Sequence, residues 1–298
     1  RFSTDSEYIA IYAEMPSMAD MSHFARTGSS AFDIYVKCGA KYVYHDTFMP
    51  TLGDHYEAIS RFKVPGMKDV MLHFPTYSDV KNLYIGVAEG SRIEHSAPYR
   101  YLKPVVYYGS SITQGACASR PGNAYEAIIS NDLDCDFINL GFSGSALAEE
   151  AITDYINSLD MSVFVMDYDH NAPNPEHLER THEAFFKKIR ASHPDLPVIM
   201  ISRPTFEEGY GGPHAYGISV IPPENEMLRC REVVFRTYMN AVNAGDRSVY
   251  FIDGASLFNG PHADLCTVDG VHPNDAGFLR MADRIGSFVS AALPEDPA

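Results

Sequence analysis

The sequence predicts an α/β protein of two parts: a small antiparallel β-sandwich over residues 1–100, followed by a domain with a doubly wound parallel sheet over residues 101–298. Three observations predict this division. The first hundred residues contain about six short runs rich in Tyr, Val, Ile and Phe, separated by turn residues. From Pro104 onward, short apolar runs alternate with segments of helical length, which is typical of a parallel sheet. The length of 298 residues suits two domains of ~150 residues each.

The predicted strands of the first part are residues 8–12, 32–37, 41–46, 58–62, 70–74 and 83–87. The second of these runs shows the pattern best, because Phe32 and Ile34 alternate with Asp33 and Tyr35. Such alternation favours a strand with one apolar and one polar face. No segment of this part has a helical pattern, so we expect an all-β unit.

The second part is predicted to repeat a strand–helix unit. Its strands are residues 104–108, 136–140, 162–167, 197–202 and 248–253, and its helices are residues 123–133, 146–159, 175–193, 225–244 and 274–293. Asn174 stands just before one of these helices and Asn274 opens another, and both are suitable cap or first-turn residues. The Gly/Pro-rich segment 203–224 is predicted to be a loop over the site.

Charge and cysteine content limit the classes of function. The chain has 23 Lys and Arg against 39 Asp and Glu, for a net charge of −16 and a pI near 5.1. So acidic a chain would be repelled by nucleic acid and by anionic membrane surfaces. No run reaches the ~18 apolar residues of a spanning helix, and the first residues lack the apolar core of a signal peptide. Five widely spaced cysteines without a CxxC pair favour reduced thiols, so we expect a cytoplasmic protein.

Small and polar residues follow four of the predicted strands. Since ligands bind at the carboxyl ends of the strands of such sheets, these residues are expected to form one site. The four groups are residues 109–115, 141–145, 167–171 and 269–273. Together they supply a hydroxyl, flexible backbone amides, a side-chain amide and an Asp/His pair, which are the groups that acyl transfer requires.

Each of these groups has a candidate role. Ser111 is the candidate nucleophile, His272 the general base, and Asp269 the carboxylate that fixes the histidine tautomer. The candidate oxyanion donors are the backbone N–H groups of Ser111 and Gly144 and the side-chain amide of Asn171. Ser110 is directly adjacent, so a nucleophile one residue earlier stays an alternative.

Four motifs in these groups carry a family resemblance. They are GSSIT at 109–113, NLGFSG at 139–144, DHN at 169–171 and DGVH at 269–272. They resemble the four blocks of the SGNH, or GDSL, hydrolases, and the resemblance covers roughly residues 104–293. It implies a flavodoxin-like three-layer α/β/α sandwich and esterase or acylhydrolase chemistry without a cofactor. By position it also implies the roles given above for Ser111, His272, Asp269, Gly144 and Asn171.

Two longer stretches, residues 108–122 and 167–173, resemble a bacterial subgroup of this family in which an N-terminal β domain carries a Gly-x-Asp-Leu-Tyr motif. Here the matching residues are Ala31-Phe32-Asp33-Ile34-Tyr35, so the glycine is replaced by alanine and the leucine by isoleucine. In the subgroup, residues at the positions of Arg120 and Arg203 recur beside the cleft. Each of these two could bind an anionic group of the substrate or form an internal salt bridge.

The sequence also departs from the family pattern at two positions. Ser110 replaces the aspartate that usually precedes the nucleophile, and His170 replaces a small residue before Asn171. His170 could contact substrate or only pack in the core. No metal site is expected, because the histidines show no HExxH pattern or ligand spacing on a helix face. Cys117 could lie near the cleft, but nothing in the sequence marks it as an activated thiolate.

These observations predict a serine esterase that hydrolyses short acyl esters of a sugar or another small polar alcohol, and acetyl esters first of all. One alternative is an acyltransferase that uses the same site with an acceptor other than water. A second alternative, of another class, is a non-catalytic carbohydrate-binding protein. The oligomeric state is left open, and a homo-oligomer is compatible with the sequence.

Overall fold

The computed structural model describes residues 1–204 and 224–294. Within these ranges the chain forms thirteen strands in three sheets and seven α-helices. The loop predicted for 203–224 lies, apart from its ends, outside the described residues. None of the described helices is long and apolar enough to span a membrane. All five cysteines are free thiols.

The N-terminal part consists of two antiparallel sheets, as the sequence predicts. Its strands are β1 (Phe2–Thr4), β2 (Tyr8–Glu14), β3 (Phe32–Cys38), β4 (Lys41–Phe48), β5 (His55–Arg61), β6 (Lys68–His73), β7 (Asn82–Val87) and β8 (Ile93–Glu94). One sheet has the order β4-β3-β6-β1-β8 and the other the order β5-β2-β7. Ile9, Ile11, Phe32, Ile34 and Val70 form a buried cluster to which strands of both sheets contribute.

All six predicted strands are present, and the sequence pattern missed three short elements. These are β1, β8 and the single-turn helix α1 (Arg26–Ser29). They are two to four residues long, which is too short to show a period. The prediction that β3 has a polar outer face is wrong. Asp33 is fully buried and Tyr35 is 6% exposed, because this face lies against the second half of the chain.

The second part is built on a five-stranded parallel sheet, which confirms the predicted fold class. Its strands are β9 (Tyr101–Gly109), β10 (Cys135–Gly141), β11 (Val163–Asp167), β12 (Val198–Ile201) and β13 (Val249–Ile252). Their order is β10-β9-β11-β12-β13, with β9 and β11 as parallel neighbours. Successive residues of β9 enter opposite cores, since Val105 and Tyr107 belong to one cluster and Val106 and Tyr108 to the other.

Helices cover both faces of this sheet. They are α2 (Ser111–Gln114), α3 (Tyr125–Leu133), α4 (Glu150–Asn157), α5 (Pro175–Ser192), α6 (Glu224–Asn243) and α7 (Asp275–Ala292). Helices α3 and α7 bury their apolar residues in one core, and α4, α5 and α6 in the other. Helix α4 begins four residues later than predicted because Ala148 has a φ of 58°, which a right-handed helix does not allow.

The N-terminal part contacts the second part near the loop that follows helix α2. Thr27 Oγ1 donates to the carbonyl oxygen of Ser119 at 2.6 Å, and Tyr42 exchanges two hydrogen bonds with the side chain of Asn131. Arg120 forms an ion pair with Asp33 across the same contact. The N-terminal part therefore contacts both the loop that follows α2 and helix α3.

Candidate active site

The two adjacent serines after strand β9 have different environments. Ser110 is 1% exposed, and its Oγ accepts from the backbone N–H of Ile112 at 3.1 Å, so it is the N-cap of α2. Ser111 is the first residue of that helix and is half-buried. The cap bond occupies the Ser110 hydroxyl, whereas the Ser111 side chain is directed towards His272.

Ser111, His272 and Asp269 form a continuous chain of hydrogen bonds. Ser111 Oγ lies 3.0 Å from His272 Nε2, and His272 Nδ1 lies 2.7 Å from Asp269 Oδ2. Asp269 Oδ1 also accepts from the backbone N–H groups of Val271 and His272 at 3.0 and 2.7 Å. With an ionised carboxylate as acceptor, Nδ1 carries the proton and the lone pair of Nε2 faces the serine.

The environment of Asp269 keeps this carboxylate charged. Burial acts to raise its pKa, but the hydrogen bonds from the ring and backbone of His272 outweigh burial and lower the pKa to about 2. Asp269 is therefore ionised at any pH at which the protein would be assayed, and it can stabilise the imidazolium that forms during acyl transfer.

Two of the three candidate oxyanion donors lie on loops, and the third lies in helix α2. Gly144 has a φ of 69°, a left-handed conformation that suits glycine, and no heavy atom lies within 4 Å of the position where a Cβ would be. Asn171 Nδ2 donates to the carbonyl oxygen of Phe142 at 2.7 Å, which ties its amide to the loop that carries Gly144. The Ser111 N–H is in the first turn of α2 and has no acceptor within the helix.

Close contacts hold the loop that carries Gly144 against helix α2. A Cβ on Gly141 would lie 2.1 Å from the backbone nitrogen of Gln114, so only glycine fits here. Gln114 Oε1 accepts from the Ser143 N–H at 2.9 Å, and its Nε2 donates to the carbonyl oxygen of Thr76 at 3.2 Å. Gln114 thus connects the loop to the N-terminal part of the chain.

Arg203 forms an internal ion pair, which is one of the two alternatives that its sequence context allows. Its side chain is 5% exposed, Nε donates to Asp169 Oδ1 at 3.1 Å, and Nη2 donates to the Asp169 carbonyl oxygen at 2.6 Å. Its backbone N–H donates to Asp169 Oδ2 at 2.8 Å. These bonds fix the short 3-10 turn Asp169–Asn171, so Arg203 positions Asn171 and does not present a free cation to the cleft.

Arg120 is also paired inside the protein. Nη1 donates to Asp33 Oδ2 at 3.1 Å and to the hydroxyl of Tyr35, and the guanidinium lies 4.1 Å from the ring centroid of Tyr44. Its side chain is 24% exposed. Burial raises the pKa of Asp33 to about 6, although the Gly122 N–H and Arg120 act in the opposite direction. Arg120 thus forms an internal salt bridge, which is one of the two alternatives that its sequence context allows.

His170 is half-buried, and its Nε2 has no hydrogen-bond partner among the described residues. Burial lowers its pKa well below the usual value, and the nearby charges of Arg203 and His272 act in the same direction. His170 is therefore a neutral side chain beside the site.

The structure adds three residues from the N-terminal part that the sequence did not point to. Tyr77 donates to the carbonyl oxygen of Ser111 at 3.3 Å, and the Phe24 ring packs edge-on against Tyr77 with centroids 4.6 Å apart. The His23 ring centroid lies 5.7 Å from that of His272. No local pattern marks these residues, because they reach the site only through the packing of the two halves.

Two family models match the chain. Residues 102–290 match the GDSL-like Lipase/Acylhydrolase family, and residues 1–93 match the family described as the N-terminus of Esterase_SGNH_hydro-type (GxDLY). None of the curated proteins compared with the chain matches it.

Solved structures resemble the whole chain. A Bacteroides ovatus protein described as a GDSL-like lipase is 29% identical, with 98% of this chain and 83% of that chain covered and a TM-score of 0.85. The salicylyl-acyltransferase SsfX3 from a tetracycline biosynthetic pathway is 19% identical over 97% of this chain and 81% of that chain, with a TM-score of 0.75. A family two carbohydrate esterase from Clostridium thermocellum, in complex with cellohexaose, is 14% identical over 97% of this chain and 90% of that chain, with a TM-score of 0.69.

Proposed function

The chain belongs to the GDSL-like lipase/acylhydrolase family and is an esterase of the SGNH type, and from this premise we propose that Ser111, His272 and Asp269 are its catalytic triad. We further propose that its substrates are short acyl esters, above all acetyl esters, of a sugar or another small polar alcohol. The single observation that carries the proposal is the hydrogen-bond chain from Asp269 through His272 to Ser111.

The proposed reaction follows from this geometry. His272 Nε2 takes the Ser111 proton as Oγ attacks the ester carbonyl, and Asp269 stabilises the imidazolium. The N–H groups of Ser111 and Gly144 and the amide of Asn171 stabilise the tetrahedral oxyanion. His272 then returns the proton to the leaving alcohol, which leaves an acyl-enzyme. Water, deprotonated by the same histidine, hydrolyses that intermediate.

The substrate class has two supports. The motifs resemble those of the SGNH hydrolases, which implies esterase or acylhydrolase chemistry, and the fold is similar to that of a carbohydrate esterase in complex with cellohexaose. A polar alcohol such as a sugar hydroxyl is also compatible with a site whose rim includes the exposed loop of Phe142 and Gly144.

Acyl transfer is the second candidate, and the fold similarity to SsfX3, a salicylyl-acyltransferase, favours keeping it. The two reactions share the acyl-enzyme and differ only in the acceptor that reaches it. If an added alcohol at millimolar concentration takes the acyl group in competition with water, transfer is the better description. If the leaving alcohol and the free carboxylic acid are released at equal rates at every concentration of added alcohol, hydrolysis is.

The experiment that tests the proposal is hydrolysis of p-nitrophenyl acetate by the wild type, Ser111→Ala and Ser110→Ala. We expect Ser111→Ala to lose kcat by roughly 10⁴–10⁶-fold. Ser110→Ala should keep its activity and lose about 1 kcal/mol of stability, since it removes only an N-cap. An inactive Ser110→Ala beside an active Ser111→Ala would move the nucleophile by one residue. A wild type without activity above buffer would contradict the esterase proposal for this substrate class.

A further inference from the structure

Three side chains with metal-ligating atoms meet beside the candidate triad. They are His23 from the segment between β2 and β3, Cys117 from the loop after α2, and His272. One ring nitrogen of each histidine and the Cys117 Sγ all lie within 4.8 Å of one another. Cys117 and His272 are buried and His23 is half-buried, so the cluster is largely shielded from water.

The local structure holds these groups together. Cys117 has a φ of 66°, unusual for a residue other than glycine, and its Sγ lies 3.4 Å from the His23 carbonyl oxygen. The Nδ1 atom of His23 is buried and has no hydrogen-bond partner among the described residues. A buried polar atom without a partner is costly, and a bound ion is one way to satisfy it.

Neither Cys117 nor His23 carries a positive charge that would repel a cation. Burial raises the pKa of the Cys117 thiol to about 12 and lowers that of His23, so both groups are neutral in the free protein. Asp269, whose Oδ2 lies 2.7 Å from Nδ1 of His272, provides a negative charge on the other side of the ring. A carboxylate behind a ligating histidine is the usual arrangement around zinc.

We propose that His23, Cys117 and His272 form a binding site for a soft divalent cation such as Zn²⁺ or Cd²⁺, and that the bound ion reversibly inhibits the enzyme. Two imidazoles and one thiolate are ligands that these ions prefer, and water completes a tetrahedral set. The inhibition rests on the proposed function, because it requires that His272 be the general base.

The proposed binding step balances without any redox partner. The ion forms one bond to Cys117 Sγ, which releases its proton to solvent, and one bond to a ring nitrogen of each histidine. Since Nδ1 of His272 donates to Asp269, the nitrogen available is Nε2, and the hydrogen bond from Ser111 Oγ to Nε2 breaks. The lone pair that would deprotonate the nucleophile is then held by the metal.

Binding is tested first without reference to catalysis, by titrating Cd²⁺ into Ser111→Ala and recording the ultraviolet charge-transfer band between thiolate and cadmium. We expect a band that saturates at one ion per chain and is absent from the double variant that carries both Ser111→Ala and Cys117→Ser. Cys38→Ser is the matched control, because Cys38 is an exposed thiol, and it should leave the band unchanged. The proposed metal site would be overturned if the band is absent from Ser111→Ala, or if it persists in the double variant that lacks Cys117.

Inhibition is tested second, on p-nitrophenyl acetate hydrolysis. We expect Zn²⁺ to inhibit the wild type, a chelator to restore activity, and Cys117→Ser to keep basal activity while requiring at least ~10-fold more Zn²⁺ for the same inhibition. His23→Gln should weaken inhibition by a similar factor. Equal sensitivity of Cys117→Ser and wild type would overturn the proposal. A wild type without esterase activity would contradict the proposed function and leave the cadmium band to decide the site.

Discussion

Arg120 and Asp33 form an ion pair, with 3.1 Å between Nη1 and Oδ2, that joins the N-terminal sheets to the loop after the candidate nucleophile. Asp33 is fully buried on β3, and its Oδ2 also accepts from the Gly122 N–H at 3.0 Å. Both of these donors to Oδ2 come from the other half of the chain. The pair belongs to the contact between the halves, and we expect it to matter for stability more than for substrate binding.

Arg120→Ala should destabilise the protein by about 3–5 kcal/mol at pH 8, because it leaves the buried Asp33 without its cationic partner. The loss should be smaller at pH 5, since the pKa of Asp33 is already raised to about 6 and the carboxyl can bind a proton there. Urea unfolding at the two pH values measures both effects.

The matched control for that change is Lys103→Ala, which breaks the ion pair between Lys103 and Asp160, whose side chains are 60% and 75% exposed. We expect a change below ~1 kcal/mol for this exposed pair. If the two variants lose the same stability, the Arg120–Asp33 pair has no special role in joining the halves.

Asp269→Asn should lower kcat by about 10⁴-fold with little change in the unfolding temperature. Asparagine can still accept from the backbone N–H groups of Val271 and His272, but it cannot hold the histidine tautomer as a carboxylate does. Because the pKa of Asp269 is about 2, the carboxylate is ionised from pH 6 to pH 9, so a loss of kcat should be present at both ends of this range.

Esterase assays across this pH range check the prediction, with Asp264→Asn as the control. Asp264 is an exposed acid in the 3-10 turn just before the site, and its variant should match the wild type. A loss for Asp269→Asn below tenfold would remove Asp269 from the triad.

Asn171→Ala should reduce kcat by ~10²–10³-fold and change KM little, as expected for a donor that acts on the oxyanion. The control is Asn174→Ala. Asn174 caps helix α5 by accepting from the His177 N–H at 2.8 Å, so its loss should cost about 1 kcal/mol of stability and leave kcat unchanged. A change in KM alone for Asn171→Ala would argue for a role in substrate binding only.

Asp167→Asn should flatten the pH dependence of stability between pH 5 and 8. Burial raises the pKa of Asp167 to about 7, against the opposing hydrogen bonds from Thr113 and Tyr125. The unfolded chain has the ordinary value near 3.8, so the folded state binds more protons between these values and its stability falls as pH rises from about 4 to 7. Asparagine removes that contribution.

Thermal unfolding at pH 5 and pH 8 measures this slope, with Asp160→Asn as the exposed control. The wild type and Asp160→Asn should lose more stability between the two pH values than Asp167→Asn does. Parallel slopes for all three proteins would show that Asp167 is ionised in the folded state throughout.

Much of the architecture was accessible from the sequence because its signals are local. The period of apolar residues predicted all six longer N-terminal strands and all five strands of the parallel sheet, and the rule that sites form at the carboxyl ends of strands singled out Ser111 and His272. The structure brings these two side chains to 3.0 Å of each other although 161 positions separate them.

The sequence could not predict contacts between side chains that lie on different halves of the chain or on distant elements. Arg120 and Arg203 each carry a charge that could face substrate, and only the positions of Asp33 and Asp169 decide that both are paired internally. The approach of His23 to Cys117 and His272 has the same origin. The period of apolar residues indicates which face of a helix or strand is buried. These contacts depend instead on how the two halves pack against each other, and that packing produces no periodic pattern in the sequence.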